Sequence, residues 1–156
     1  MVYQVNISAP NLMSVCVNEL RGGCPVGYLY NKYSLERQEF QNVFDLMTLM
    51  EQTMDYCQYP QSATRQRTFG SANVQNREKK RVESMVKADE ILEKSGELAT
   101  FVIHVKYRQN STWQGDIFWA EKQEKVNFRS ALEMLKLIDS ALDQTQEDGQ
   151  NEETEE

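Results

Sequence analysis

GYLYNKYSLERQEFQNVFDLMTLMEQTMD, residues 27–55, lies without a gap over GDIFWAEKQEKVNFRSALEMLKLIDSALD, residues 115–143. The offset is 88 positions (115 − 27). Gly27 falls on Gly115, Phe40 on Phe128, Leu49 on Leu137 and Asp55 on Asp143. Only five of the 29 positions are identical, so the pattern between them carries more weight than the identities. Leu29/Ile117, Tyr30/Phe118, Phe44/Leu132, Asp45/Glu133, Met50/Ile138 and Met54/Leu142 are conservative pairs, and upstream Val15 and Val17 meet Ile103 and Val105. Self-similarity at a fixed period is read before any local feature, because it bounds the whole architecture.

Each copy reads as strand, turn, strand, helix. In the second, Phe101, Ile103, Val105 and Tyr107 alternate with Thr100, Val102, His104 and Lys106, the period of a half-buried strand. Asn110-Ser111 marks a turn, and WQGDIFWA (113–120) is the returning strand. Asn127 then stands as an N-cap, with Phe128, Ala131, Leu132, Leu135, Ile138 and Leu142 as a helical apolar stripe. The first copy matches with the turn Arg21-Gly22-Gly23-Cys24-Pro25 and the stripe Phe40, Val43, Phe44, Met47, Met50 and Met54.

One strand pair with one helix cannot cover its own apolar face, whereas two such units sharing a sheet can. The expected fold is therefore α+β: two tandem strand-strand-helix repeats forming one antiparallel sheet, with the helices packed on one face and an inserted helix between the repeats. Residues 1–143 form a single domain, with repeat one at about 12–55, a loop and connecting helix at 56–98, and repeat two at about 99–143. The inserted helix is expected from Arg77 to Lys94, with Val82, Met85, Val86, Ile91 and Leu92 inward and Gly96 at its end.

The formal charge of −7 belongs to one end of the chain. DQTQEDGQNEETEE (143–156) holds seven acids and no base, which predicts a disordered acidic tail over 144–156. The opposite bias sits in RQRTFGSANVQNREKKR (65–81), with six bases and one acid. The opening MVYQVNISAP has no basic start and no apolar core, and no apolar run approaches a membrane span. Cys16, Cys24 and Cys57 are odd in number and lack CxxC spacing, which argues against a disulfide framework. A cytoplasmic protein without membrane contact is expected.

The glycine and apolar positions common to both copies are explained by the fold. What only the second copy has, Arg108, Gln109, Asn110, Trp113, Gln114 and Trp119, is not required by it. An arginine fork beside indole faces suits a planar or anionic ligand, and equally a protein hot spot. The bland alternative is cross-strand packing of the two tryptophans under a shielding arginine. Catalytic chemistry finds no support: His104 is the only histidine and alternation places it on an exposed strand face. One histidine with scattered cysteines fits no zinc spacing, and neither GxxxxGK[ST] nor GxGxxG occurs. No metal, cofactor or catalytic residue is assigned.

RQNSTWQGDIFW followed by NFRSALEMLKLIDSAL resembles an uncharacterised family of small proteins from Gram-positive gut-type bacteria, and GYLYNKY and YPQSATRQRTF resemble its first half. The likeness spans most of residues 12–143 and implies a bacterial cytoplasmic origin, with no activity to carry over. The expected function is a non-enzymatic interaction or regulatory module that binds a partner protein through the second-repeat hairpin, with Arg108, Gln109, Asn110, Trp113 and Trp119 as candidate contacts. One alternative is a nucleotide-type small-ligand sensor using Arg108 and Trp113. A second is nucleic-acid binding through residues 65–81, opposed by a pI near 4.9 and the acidic tail.

Overall fold

Val15 and Val17, like Ile103 and Val105, alternate with residues turned the other way, and both runs become central strands. The computed structural model describes residues 4–62, 67–70 and 82–154. Within them the chain is α+β, a six-stranded antiparallel sheet with three helices. The elements are β1 (Met13–Arg21), β2 (Cys24–Asn31), β3 (Gln38–Phe40), α1 (Val43–Cys57), α2 (Ala88–Leu92), β4 (Ala99–Tyr107), β5 (Gln114–Trp119), β6 (Glu124–Phe128) and α3 (Ala131–Thr154). The sheet order is β3-β2-β1-β4-β5-β6.

The strand registers keep the 88-residue offset. Val15 faces Leu29, and Ile103 faces Ile117; Val17 faces Gly27, and Val105 faces Gly115. The register shifts between Val17 and Glu19 in one hairpin and between Val105 and Tyr107 in the other. Gly27 then faces Phe40 as Gly115 faces Phe128. Neither glycine can carry a side chain, because a Cβ would sit 1.9 Å from the Cys16 carbonyl oxygen at Gly27 and 2.1 Å from that of His104 at Gly115.

One face of the sheet holds the main core. Met13, Val15, Val17, Phe101, Ile103 and Val105 meet Leu46, Met50 and Met54 of α1 and Met134, Ile138 and Leu142 of α3 in one cluster. The opposite face is covered where Val5 and α2 residues Ala88 and Leu92 pack on Leu12, Val102 and Phe118. Phe44 and Leu132, expected in the helical stripes, are instead 78% and 61% exposed. The buried phase starts two residues later, at Leu46 and Met134, roughly 200° around the helix from Phe44 and Leu132.

Several expectations are corrected. Each half has a third strand, β3 or β6, that the polar segments QEF and EKVNF conceal. Asn127 lies in β6 and is not an N-cap. Ser130 fills that role, accepting from the Glu133 N–H at 3.0 Å, as Asn42 accepts from the Asp45 N–H at 2.8 Å. The inserted helix is only α2. Residues 82–87 are not helical, and 77–81 lie outside the described residues. The Met85 and Val86 N–H groups donate to the Lys32 carbonyl at 2.7 and 3.0 Å, so they are committed away from helical pairing.

The helix α3 also runs through the segment expected to be disordered, as far as Thr154, with residues 155–156 outside the described set. Extending an existing helix orders one residue for each hydrogen bond gained, which is far easier than starting one. In the extension Thr145 Oγ1 donates to the Ala141 carbonyl at 3.0 Å, and Lys122 pairs with Asp148 at 3.1 Å in the open. Acids at a helix C-terminus oppose the macrodipole.

Two stability predictions follow from this packing. Phe40 and Phe128 are 0% and 2% exposed, so Phe40→Ala and Phe128→Ala should each cost ~3–5 kcal/mol in denaturant unfolding. A nearly neutral result at either position would contradict the assigned packing. Truncation after Asp143 removes the exposed Lys122–Asp148 ion pair and, among the described residues, no buried hydrophobic residue, so it should cost under about 1 kcal/mol by the same measurement.

Candidate functional site

Arg108 leaves the end of β4 and is 6% exposed. Its Nη1 pairs with Asp55 of α1 at 2.6 Å, and its Nε donates to the Pro60 carbonyl at 2.7 Å. The guanidinium thus clamps the chain leaving α1 onto the end of β4. Gln109 and Gln114 close the mouth of the β4–β5 hairpin, the Gln109 N–H donating to Gln114 Oε1 at 3.3 Å and Gln114 Nε2 donating back to the Gln109 carbonyl at 3.1 Å. Asn110 is exposed and takes φ 55° in the turn itself. Trp113 and Trp119 are 9% and 7% exposed and belong to the helix-side core. Among the described residues, Arg108 is thus engaged with Asp55 and Pro60 while Trp113 and Trp119 pack in the core.

His104 is not on an exposed face. It is 4% exposed, with Asp116 opposite it in the register and the Tyr59 ring stacked at 6.4 Å. Asp116 does not bond it; its carboxylate takes Lys106 at 2.8 Å and the Asn127 amide. Both ring nitrogens of His104 lack a hydrogen-bond partner among the described residues, as does Oδ1 of the buried Asn11, whose Nδ2 donates to the adjoining Val105 carbonyl. Burial pushes the His104 pKa down, with Asp116 acting against that and Lys106 with it.

The two edges of the sheet carry equivalent clefts. At the β6 edge, β5, β6 and α3 enclose about 170 Å³ lined by Trp119, Val126, Leu137 and Ala141, with Ser140 and Gln144 at hand. At the β3 edge, β2, β3 and α1 enclose about 360 Å³ lined by Asn31, Gln38, Gln52, Thr53, Tyr33 and Tyr56. Five positions correspond at the 88-residue offset: Asn31/Trp119, Gln38/Val126, Gln52/Ser140, Thr53/Ala141 and Tyr56/Gln144. At three of them, Asn31/Trp119, Gln38/Val126 and Thr53/Ala141, a polar side chain on the β3 side stands where the β6 side has an apolar one.

Hydrogen bonds fix the inner layer of the polar cleft. Asn31 Nδ2 donates to Thr53 Oγ1 at 3.0 Å and to Gln38 Oε1 at 3.4 Å, while Asn31 Oδ1 accepts from the Tyr33 N–H at 2.9 Å. Thr53 Oγ1 donates to the Leu49 carbonyl at 2.9 Å. Tyr33 and Tyr56 meet edge to face, their centroids 5.6 Å apart. Burial and the adjacent Cys57 thiol push the Tyr33 phenol up to about 12, and burial pushes the Cys57 thiol up as well. Both groups stay protonated at neutral pH, and neither is an activated nucleophile. In the apolar cleft, Val126 is 43% exposed, and the buried Trp119 Nε1 lacks a partner among the described residues.

Of the basic segment 65–81, only 67–70 is described, and Arg65, Arg77, Lys79, Lys80 and Arg81 lie outside that set. Among the described residues, no helix is long and apolar enough to cross a membrane. No protein-family model, curated protein or solved structure matches the chain. Asn31, Gln38, Gln52 and Thr53 are ordinary polar residues that no motif marks in the sequence. The offset alignment held their signal, since it sets Asn31 against Trp119, Gln38 against Val126 and Thr53 against Ala141.

The buried His104 makes stability depend on pH. Its folded pKa is depressed, so its contribution is complete above the ordinary histidine value near ~6.5 and is lost as pH falls toward the folded value. Between pH 7.5 and 5.5 the wild type should lose stability faster than His104→Leu, by at most about 1.4 kcal/mol per pH unit for one proton. Equal slopes in urea unfolding would show that His104 titrates freely in the folded state.

Proposed function

We propose that this protein is a non-enzymatic interaction module of two tandem β-β-β-α repeats, the second of which holds an extended segment of a partner protein. Support for the repeats comes from the shared offset of the hairpin registers, of the two glycine contacts and of the Asn42 and Ser130 caps. Support for the binding surface comes from β6. It is paired with β5 on one side only, so alternate backbone N–H and C=O groups face outward.

The observation that carries this reading is Val126, 43% exposed on that open edge and lining the apolar cleft beside Trp119 and Leu137. An added strand would satisfy the edge backbone, and one of its apolar side chains would fill the cleft. Glu124 and Lys125 on the same edge discourage indiscriminate pairing, which leaves the side-chain contact to set specificity. The β4–β5 hairpin contributes through Trp119, rather than through its Asn110 turn. The nucleotide alternative draws less support, because Arg108 already bonds Asp55 and Pro60 and Trp113 is in the core.

Peptides selected from a random display library against the folded protein test this directly. Bound peptide should slow amide exchange in β6, and Val126→Asp should weaken binding by tenfold or more, since burying one aliphatic side chain contributes ~1.5–3 kcal/mol. Selection of peptides that protect another surface, or of none at all, would contradict the assignment.

A further inference from the structure

We propose that the cleft between β3 and α1 is a binding site for one neutral pyranose sugar, free or at the end of a glycan, separate from the β6 surface. The motivating observation is the exchange of side chains between equivalent clefts. Where the β6 side has Trp119, Val126 and Ala141, the β3 side has Asn31, Gln38 and Thr53. Asn31 and Thr53 are 5% and 4% exposed. Burying such groups is unfavourable unless they are bonded, and the other half of the chain shows that apolar residues fill the same place.

The lining divides into a fixed layer and a free one. Asn31, Thr53 and the Gln38 oxygen are held by their mutual bonds. The Gln52 side chain and the Gln38 amide nitrogen make no hydrogen bond among the described residues, and both line the opening. A carboxamide places a donor and an acceptor side by side, which matches vicinal sugar hydroxyls that each donate and accept. Among the described residues no charged side chain lines the cleft, so a phosphate or ammonium ligand would lose hydration without a counter-charge. Tyr33 and Tyr56 cross at 66°, which offers a ring face to the C–H face of a pyranose but no parallel pair to sandwich a nucleobase. The volume of about 360 Å³ sits at the small end of the ~300–1,000 Å³ usual for ligand sites.

The test is an NMR titration of the full chain with glucose, galactose, mannose and N-acetylglucosamine in turn. Glucose 6-phosphate and glycerol serve as charged and non-ring controls. At least one neutral pyranose should give saturable shifts at the Asn31, Gln38 and Gln52 side-chain amides. Gln52→Ala and Tyr56→Ala alter exposed residues and leave the core intact, and each should weaken that binding about tenfold, the loss of roughly one good contact. Val126→Asp should leave it unchanged, so failure at this cleft and failure at β6 are read separately. No saturable shift with any neutral sugar, or equal response to glycerol or to glucose 6-phosphate, would overturn the proposal.

Discussion

Ser14 of β1 lies opposite Val102 of β4, and from that pair the register runs to Met13 with Ile103 on one side and Val15 with Phe101 on the other. Those flanking pairs are the same pair exchanged at the 88-residue offset, because Met13 corresponds to Phe101 and Val15 to Ile103. The antiparallel seam therefore sits on a local two-fold relation between the halves. It puts α1 and α3 over one face, since β1 and β4 both present their odd-numbered residues there. It also sends β3 and β6 to opposite edges, so equivalent clefts open at the two ends of one sheet.

The seam itself offers little room for variation. Met13, Val15, Val17, Phe101 and Ile103 are essentially inaccessible, and the glycines one strand away are fixed by the Cys16 and His104 carbonyls. A densely packed centre transmits any change in side-chain volume to its neighbours. The edges are under no such constraint. Trp119 and Asn31 occupy matching positions there with opposite chemistry, and each is accommodated by its own surroundings, Phe101 in one case and Thr53 in the other. Differences in function between the halves are therefore expected at the edges rather than at the seam.

Much of this architecture was legible in the sequence because apolar alternation and fixed offset reinforce one another. Gly27/Gly115 and Phe40/Phe128 align in the sequence alone, and Gly27 does face Phe40 as Gly115 faces Phe128 across the outer strands. QEF and EKVNF escaped detection because an edge strand with one solvated side need not alternate. Phe44 and Leu132 misled because a large apolar side chain at helical spacing need not be inward when the buried phase begins elsewhere. The Arg108–Trp119 segment stands out by residue type, yet Arg108 is engaged by Asp55 and Pro60 and Trp113 packs in the core. The polar cleft had no such prominence. Its residues are ordinary types spread over positions 31–56, and only the contrast with their counterparts marks them.

The central claim is the register of the β1–β4 seam, and cross-strand Hα–Hα contacts measured by NMR test it most directly. The account predicts such contacts at alternate members of the series Met13–Ile103, Ser14–Val102, Val15–Phe101, Cys16–Thr100 and Val17–Ala99. A series displaced by even one residue would turn one strand's apolar set away from the helices and break the two-fold relation. A displaced series, or contacts showing that β1 and β4 are not neighbours, would contradict the account.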